Sequence, residues 1–357
     1  MGFAALLLCG TVNATSWRVC SKPEAGANFL TVRDAVQSLS VHAGDTLYIE
    51  PGHIEIGDHL QIQKRVILIG PGFSLIENAI SAINPDEAIF ATSSVGLDSA
   101  GINVYGCKFI TNLSTNTSSH IIENCFFTAG LNVSGSNQYV RGCFFNNCNL
   151  HAIYQINSST FENNIFNGII DDEHDIRWDE EKYENCIFRN NTVVSNSQYV
   201  IVSRMINCEL YNNIFINSNE NYSTTVNSDQ TVDTTWYRDI IFDAPESRGN
   251  YIHHNVLSCH PNNEYMNCVF NATIESSLIW NNANTLEEKY KHLANGSAVG
   301  AGVNGTTCGA YGAVNGSRAY QPAGIPQYRP YIYDATIDDT PNANNTINAS
   351  FKIKVQQ

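Results

Sequence analysis

Between Val104 and Leu210 a six-residue pattern keeps returning: an apolar residue, a variable one, Gly or Asn, Cys or Asn, a variable one, then Phe or Leu. It reads Val104-Tyr105-Gly106-Cys107-Lys108-Phe109, Ile122-Glu123-Asn124-Cys125-Phe126-Phe127 and Val140-Arg141-Gly142-Cys143-Phe144-Phe145. It continues as Phe161-Glu162-Asn163-Asn164-Ile165-Phe166, Tyr183-Glu184-Asn185-Cys186-Ile187-Phe188 and Met205-Ile206-Asn207-Cys208-Glu209-Leu210. From Cys107 the matching positions are 125, 143, 164, 186 and 208, steps of 18, 18, 21, 22 and 22 residues. A period near twenty means stacked units, each burying its apolar face on its neighbours. The expected body is an all-β solenoid of stacked coils.

The Phe/Leu column is the most uniformly apolar and belongs inside, and alternation places the Cys/Asn column two residues earlier inside as well. Between them and the preceding strand the chain must bend, and Gly106, Asn124, Gly142, Asn163, Asn185 and Asn207 suit the left-handed conformation a bend needs. Stacked Asn side chains can hydrogen-bond from coil to coil. Neighbouring rungs of a sheet are about 4.8 Å apart with parallel Cβ directions, whereas a disulfide wants Cβ atoms roughly 3.8 Å apart. The ladder cysteines are thus expected as small buried hydrophobes. Among the eleven cysteines, Cys259 with Cys268 is the best disulfide pair, and Cys143 with Cys148 a weaker one.

Ahead of the ladder, Thr31 offers an N-cap to a short amphipathic helix whose Val32, Ala35, Val36 and Leu39 share one face. His42-Ala43-Gly44-Asp45 makes a turn, Thr46 to Glu50 a strand ending at Pro51-Gly52, and Arg65 to Ile69 a strand ending at Gly70-Pro71-Gly72. This succession resembles the N-terminal cap and first coils of secreted right-handed parallel β-helix proteins, the pectate-lyase-like superfamily. Cys308-Gly309-Ala310-Tyr311-Gly312, Gly324-Ile325-Pro326 and Tyr331-Ile332-Tyr333-Asp334 resemble the closing segment of secreted bacterial β-helix proteins of unassigned function. The implied fold is a right-handed parallel β-helix with an N-terminal capping helix and a C-terminal β-strand tail. Its expected divisions are a signal peptide over 1–14, the β-helix over 15–295 and a closing segment over 296–357.

Beyond Cys208 the pattern returns at Ile252-His253-His254-Asn255-Val256-Leu257, and the interval is read as two coils. Ser277 to Trp280 is expected to close the stack, Leu286 to Leu293 to form a short helix, and Tyr331 to Ile337 and Ile347 to Val355 to form strands.

Only 15% of residues are charged and the net charge is −15, with 19 Lys and Arg thinly spread, which excludes nucleic acid as a partner because phosphate binding needs clustered basic charge. Asparagine, roughly one residue in eight, fits polar turns repeated on every coil. The apolar run Phe3 to Leu8, followed by Val12-Asn13-Ala14, reads as an export leader, with a buried strand as the alternative, and the resemblance implies a bacterial protein that is secreted or at the cell surface. No other run approaches the ~18 apolar residues of a transmembrane segment.

Since the inside of the coil is filled, function is expected on outward columns. One column is read as Tyr105, Glu123, Arg141, Glu162, Glu184, Ile206 and later His253. In it Glu162 and Glu184 would be paired catalytic carboxylates, their repulsion raising one pKa. The plainer reading is a ladder in which Arg141 bridges Glu123 and Glu162. The next column carries Phe126, Phe144, Ile165 and Ile187, too apolar to face water. Either a C-terminal segment such as Tyr320 to Tyr333 covers them, or Phe126 and Phe144 form a platform for sugar rings. His253 and His254 are expected to diverge, one in the outward column and one in the bend.

The resemblance adds two further candidates. Polysaccharide lyases on this fold bind Ca²⁺ beside the substrate groove, which points to Asp171, Asp172, Glu173 and Asp175 as oxygen ligands. A solvated charged loop is the plainer reading of that run. A uronate lyase would also need cationic residues, for which Arg204 and Arg238 are candidates, with Arg141, Phe126, Phe144 and His253 binding substrate. The expected function is glycan binding or adhesion without catalysis and without a required cofactor, the partner being a polysaccharide or cell-surface glycan. The competing reading is a polysaccharide lyase or glycoside hydrolase acting on an acidic polysaccharide.

Overall fold

The computed structural model describes residues 14–75, 77, 86–168, 170, 183–195, 205–217, 222–226, 232–236, 248–258, 265–313, 318–326, 330–337 and 349–355. Each coil contributes three short strands, one to each of three parallel sheets. In one coil these are Asn103–Tyr105, Lys108–Phe109 and Leu113–Thr115. The first sheet accumulates 11 strands, the second 9 and the third 7. The chain is a parallel β-helix.

The bends form where expected. Gly106, Asn124, Gly142, Asn163, Asn185 and Asn207 all have φ between 51° and 60°. Cys107, Cys125, Cys143, Cys186 and Cys208 are buried free thiols, and Cys148 is likewise unbridged. Cys268 is a free thiol whose sulfur accepts the Asn255 N–H at 3.4 Å, while Cys259 lies outside the described residues.

Inside the second sheet, Phe90, Phe109, Phe127, Phe145 and Phe166 form a continuous stack with successive centroids 4.8, 5.3, 4.8 and 4.4 Å apart. Each stacked pair contributes about 0.5–1.5 kcal/mol beyond burial. Phe188 does not continue this stack. It pairs with Phe161 in the first sheet, their rings 4.6 Å apart. The six-residue motif therefore serves two different corners. Through Phe166 it turns from first sheet to second, whereas Tyr183 and Met205 begin in the third sheet and turn into the first. The corner from first to second sheet continues as Arg189-Asn190-Asn191, Tyr211-Asn212-Asn213 and His253-His254-Asn255.

At that corner the inward column changes from sulfur to amide. Asn164, Asn191, Asn213 and Asn255 are fully buried. Asn164 N donates to Asn191 Oδ1 at 3.0 Å, Asn191 N to Asn213 Oδ1 at 2.9 Å and Asn213 N to Asn255 Oδ1 at 2.8 Å. The amides thus satisfy backbone groups that the bend removes from the strand ladder.

The first coil is capped by a helix. At the start, Val32–Gln37 forms the capping helix, with Thr31 Oγ1 accepting Asp34 N at 2.9 Å. Val32, Ala35 and Val36 are buried, but the helix ends before Leu39, which is 94% exposed. Buried Glu55 accepts Val32 N at 2.6 Å and His53 Nε2 approaches it at 3.0 Å, satisfying the helix end.

At the far end, Tyr265–Met266 is the last rung of the first sheet. Ser277 to Trp280 does not close the stack as a strand: Ile274–Ser277 is helical, fixed by a capping box at Thr273. The interval before His253 is one coil, because Glu209, Leu210 and Tyr211 pair directly with Tyr251, Ile252 and His253. Its extra length includes an antiparallel hairpin, Tyr222–Val226 with Val232–Trp236. Glu287–Tyr290 forms a 3-10 turn within the expected helix, and Pro330–Ile337 pairs antiparallel with Ala349–Val355 in the tail.

Residues 303–313 and 318–325 then run back along the corner between first and second sheets. Their anchors are the outward side chains of the bend residues: Asn212 Oδ1 accepts Val303 N at 2.8 Å, and Asn163 Nδ2 donates to Ala310 O at 2.8 Å and Gly312 O at 2.9 Å. Phe73 N donates to Ala323 O at 2.7 Å near the start of the solenoid. This strap, with Tyr290, packs over Phe126, Phe144, Ile165, Ile214 and Val256.

Candidate functional site

Correct registration of the coils rebuilds the outward row of the first sheet as Tyr105, Glu123, Arg141, Glu162, Arg189, Tyr211 and His253. The parallel row two residues earlier carries Tyr139, Thr160, Ile187, Glu209 and Tyr251. Glu184 is not in this face. It pairs with Asn157 and Ile206 in the third sheet, so the expected pairing of carboxylates Glu162 and Glu184 is replaced by Glu162 beside Arg189.

The middle of the row is a closed ionic cluster. The Glu162 side chain, 2% exposed, accepts Arg189 Nε at 2.5 Å and the Tyr139 hydroxyl, and Arg189 Nη2 also reaches it. Arg141 Nε lies 3.5 Å from Glu162 and its Nη1 3.9 Å from Glu123, the bridging ladder read from sequence. Arg189 Nη1 donates to the Tyr211 hydroxyl at 3.1 Å, extending the network one rung further. Burial raises the Glu123 pKa and outweighs the opposing pull of Arg141. Burial and the Glu162 charge push the Tyr139 phenol up to about 12, so it remains a donor. A carboxylate held by three side chains is built for position rather than for proton traffic.

The C-terminal end of the face differs. Tyr211 stacks on His253 with centroids 5.2 Å apart and planes 7° from parallel, and Tyr251 packs against the imidazole with centroids 4.2 Å apart and planes tilted by 33°. Tyr251 is 47% exposed, and Met266, which pairs with His253 on the next rung, is exposed as well. Glu209 Oε1 holds His253 Nε2 at 3.2 Å on the rim. The result is an aromatic cluster that opens to solvent through Tyr251 and half-buried Tyr211, with His253 itself only 7% exposed between charged neighbours.

The other expected site residues resolve as follows. Phe126 and Phe144 are 6% and 0% exposed beneath the strap, so they offer sugars no platform. The strap wins because a continuous apolar column is more stable covered by chain than by water. His253 and His254 do not diverge: their Nδ1 atoms are 2.9 Å apart, because the left-handed His254 (φ 51°) also turns its side chain outward. Asp171, Asp172, Glu173, Asp175, Arg204 and Arg238 lie outside the described residues. Among the described residues, no three His, Cys, Asp or Glu side chains converge to hold an ion, and no helix is long and apolar enough to cross a membrane. Sequence reading missed Tyr139, Arg189, Tyr211 and Tyr251. The signal that finds Arg189 and Tyr211 is the Asn-Asn pair, which marks one corner at 163–164, 190–191 and 212–213.

The stacked parallel sheets define a parallel β-helix, and the described residues place the Tyr211, His253 and Tyr251 cluster on its first sheet. No family model and no curated protein matches the sequence. Among solved structures the chain is similar to a pectin methylesterase variant in complex with a hexasaccharide, at 11% identity and a TM-score of 0.28, covering 80% of this chain and 99% of that one. The class assignment rests on the sheets themselves.

Proposed function

We propose that the protein is an exported or cell-surface parallel β-helix that binds a glycan on its first sheet without cleaving it. The supporting observation is the cluster of Tyr211, His253 and Tyr251, rimmed by Glu209 and Arg189. A pyranose has an apolar C–H face and a polar hydroxyl edge. An aromatic cluster with a charged rim matches both, and solenoid repetition lets successive rings lie along the coil axis. The neighbouring Glu162 cluster favours binding over catalysis, since its carboxylate is already fully engaged. A polysaccharide panel tests this reading: Tyr251→Ala is expected to weaken retention of the recognised glycan by about tenfold, the loss of one stacking contact worth ~1.4 kcal/mol. Unchanged retention would place binding elsewhere.

A further inference from the structure

We propose that His253 and His254 together form a bidentate site for a divalent transition metal of the copper or nickel type. The two Nδ1 atoms stand 2.9 Å apart. With metal–imidazole bonds of about 2.0–2.1 Å, that separation subtends an angle of about 90° at the ion. This is the cis angle of square-planar and octahedral coordination, narrower than a tetrahedral zinc site would use.

The pair is also prepared for the role. Glu209 Oε1 accepts from His253 Nε2 at 3.2 Å, which puts the proton on Nε2 and leaves Nδ1 as the unprotonated nitrogen facing His254. Tyr211 and Tyr251 both pack against the His253 ring. His254 is fixed through its backbone: its N–H donates to Met266 O at 3.0 Å, and its carbonyl accepts Asn212 N at 3.1 Å and the Cys308 thiol at 3.2 Å. Without metal, His254 Nδ1–H donates to His253 Nδ1. On binding, the metal takes that place and His254 Nε2 gains a proton from solvent, so the tautomer shifts with no net release. Two protein ligands leave the remaining positions to water or to oxygen atoms of a ligand. The acidic chain, at −15, favours a cation here. This inference stands independently of glycan binding.

The test is titration of the full chain with Cu²⁺ alone, followed by calorimetry and electron paramagnetic resonance. One ion per chain is expected to bind with coupling to two nitrogens. His254→Asn is the decisive variant, because Asn occupies the same bend at Asn190 and Asn212 and preserves the coil. It should lose the chelate and bind at least about tenfold more weakly, with one nitrogen coupling removed. Glu209→Gln should weaken binding about tenfold through loss of the positioning charge, while keeping the two-nitrogen spectrum. An unchanged affinity and spectrum in His254→Asn would overturn the proposal by placing the ion on other histidines. Failure of the unaltered chain to bind Cu²⁺ would do so equally.

Discussion

Replacing Asn191 by Ala removes one step from the middle of the amide column. The Asn191 Oδ1 accepts Asn164 N at 3.0 Å and Asn164 Nδ2 at 3.1 Å, while its Nδ2 donates to Phe161 O at 2.9 Å and Asn213 Oδ1 at 3.0 Å. All of these groups are buried. Ala leaves the Asn164 backbone N–H and one Nδ2–H without acceptors and removes a donor from Phe161. Each buried group left unsatisfied costs about 1–3 kcal/mol, so the two orphaned donors alone imply a loss of about 2–6 kcal/mol. Asn191→Cys should recover part of that. A sulfur occupies the same corner at Cys107, Cys125 and Cys143, and Cys208 Sγ shows it can accept a rung N–H, from Cys186 at 3.4 Å. A solenoid can open locally, so the assay pairs urea melting with hydrogen exchange at Asn164 and its neighbouring coils. Ala and Cys variants both within about 1 kcal/mol of the parent would refute the assignment of stability to this column.

Two further outcomes follow from the ends and the interior. Glu287 is buried and accepts the Tyr320 hydroxyl at 2.5 Å and Ala323 N at 3.1 Å, so Glu287→Ala should loosen the strap and make residues 303–325 sensitive to limited proteolysis while the coils stay protected; unchanged cleavage would contradict the anchoring role. His120 is fully buried, and burial lowers its pKa from 6.5, so the unfolded chain takes up the proton first as pH falls. Its contribution to stability is complete above pH 6.5 and drains away below it, and His120→Gln should flatten the melting temperature across that window; an unchanged slope would contradict it.

The β-helix, its capping helix and its buried thiols were legible because a bend residue and an inward apolar residue recur together, and only stacking explains that recurrence. The phase of the stack was not. Gly or Asn followed by a small inward residue is the chemistry of any tight corner, and this chain uses it at two. Tyr183-Glu184-Asn185-Cys186 therefore reads like Phe161-Glu162-Asn163-Asn164, although one turns out of the third sheet and the other out of the first. Glu184 was consequently assigned to the wrong face, and Arg189 and Tyr211 were passed over. The strap was half legible: outward Phe126 and Phe144 demanded a cover, but nothing local shows that Asn163 and Asn212 anchor it from more than ninety residues away. The closeness of His253 to His254 was hidden for a related reason. Alternation sends successive side chains to opposite faces, and a left-handed residue breaks that rule.

The most direct test of glycan binding without cleavage is the length distribution of the polysaccharide that the protein retains, measured by mass spectrometry before and after prolonged incubation. The expected result is retention that depends on Tyr251 and a distribution that does not change. Shorter chains, unsaturated ends or lost ester groups, appearing with the unaltered protein and abolished by substitution on the first sheet, would contradict it.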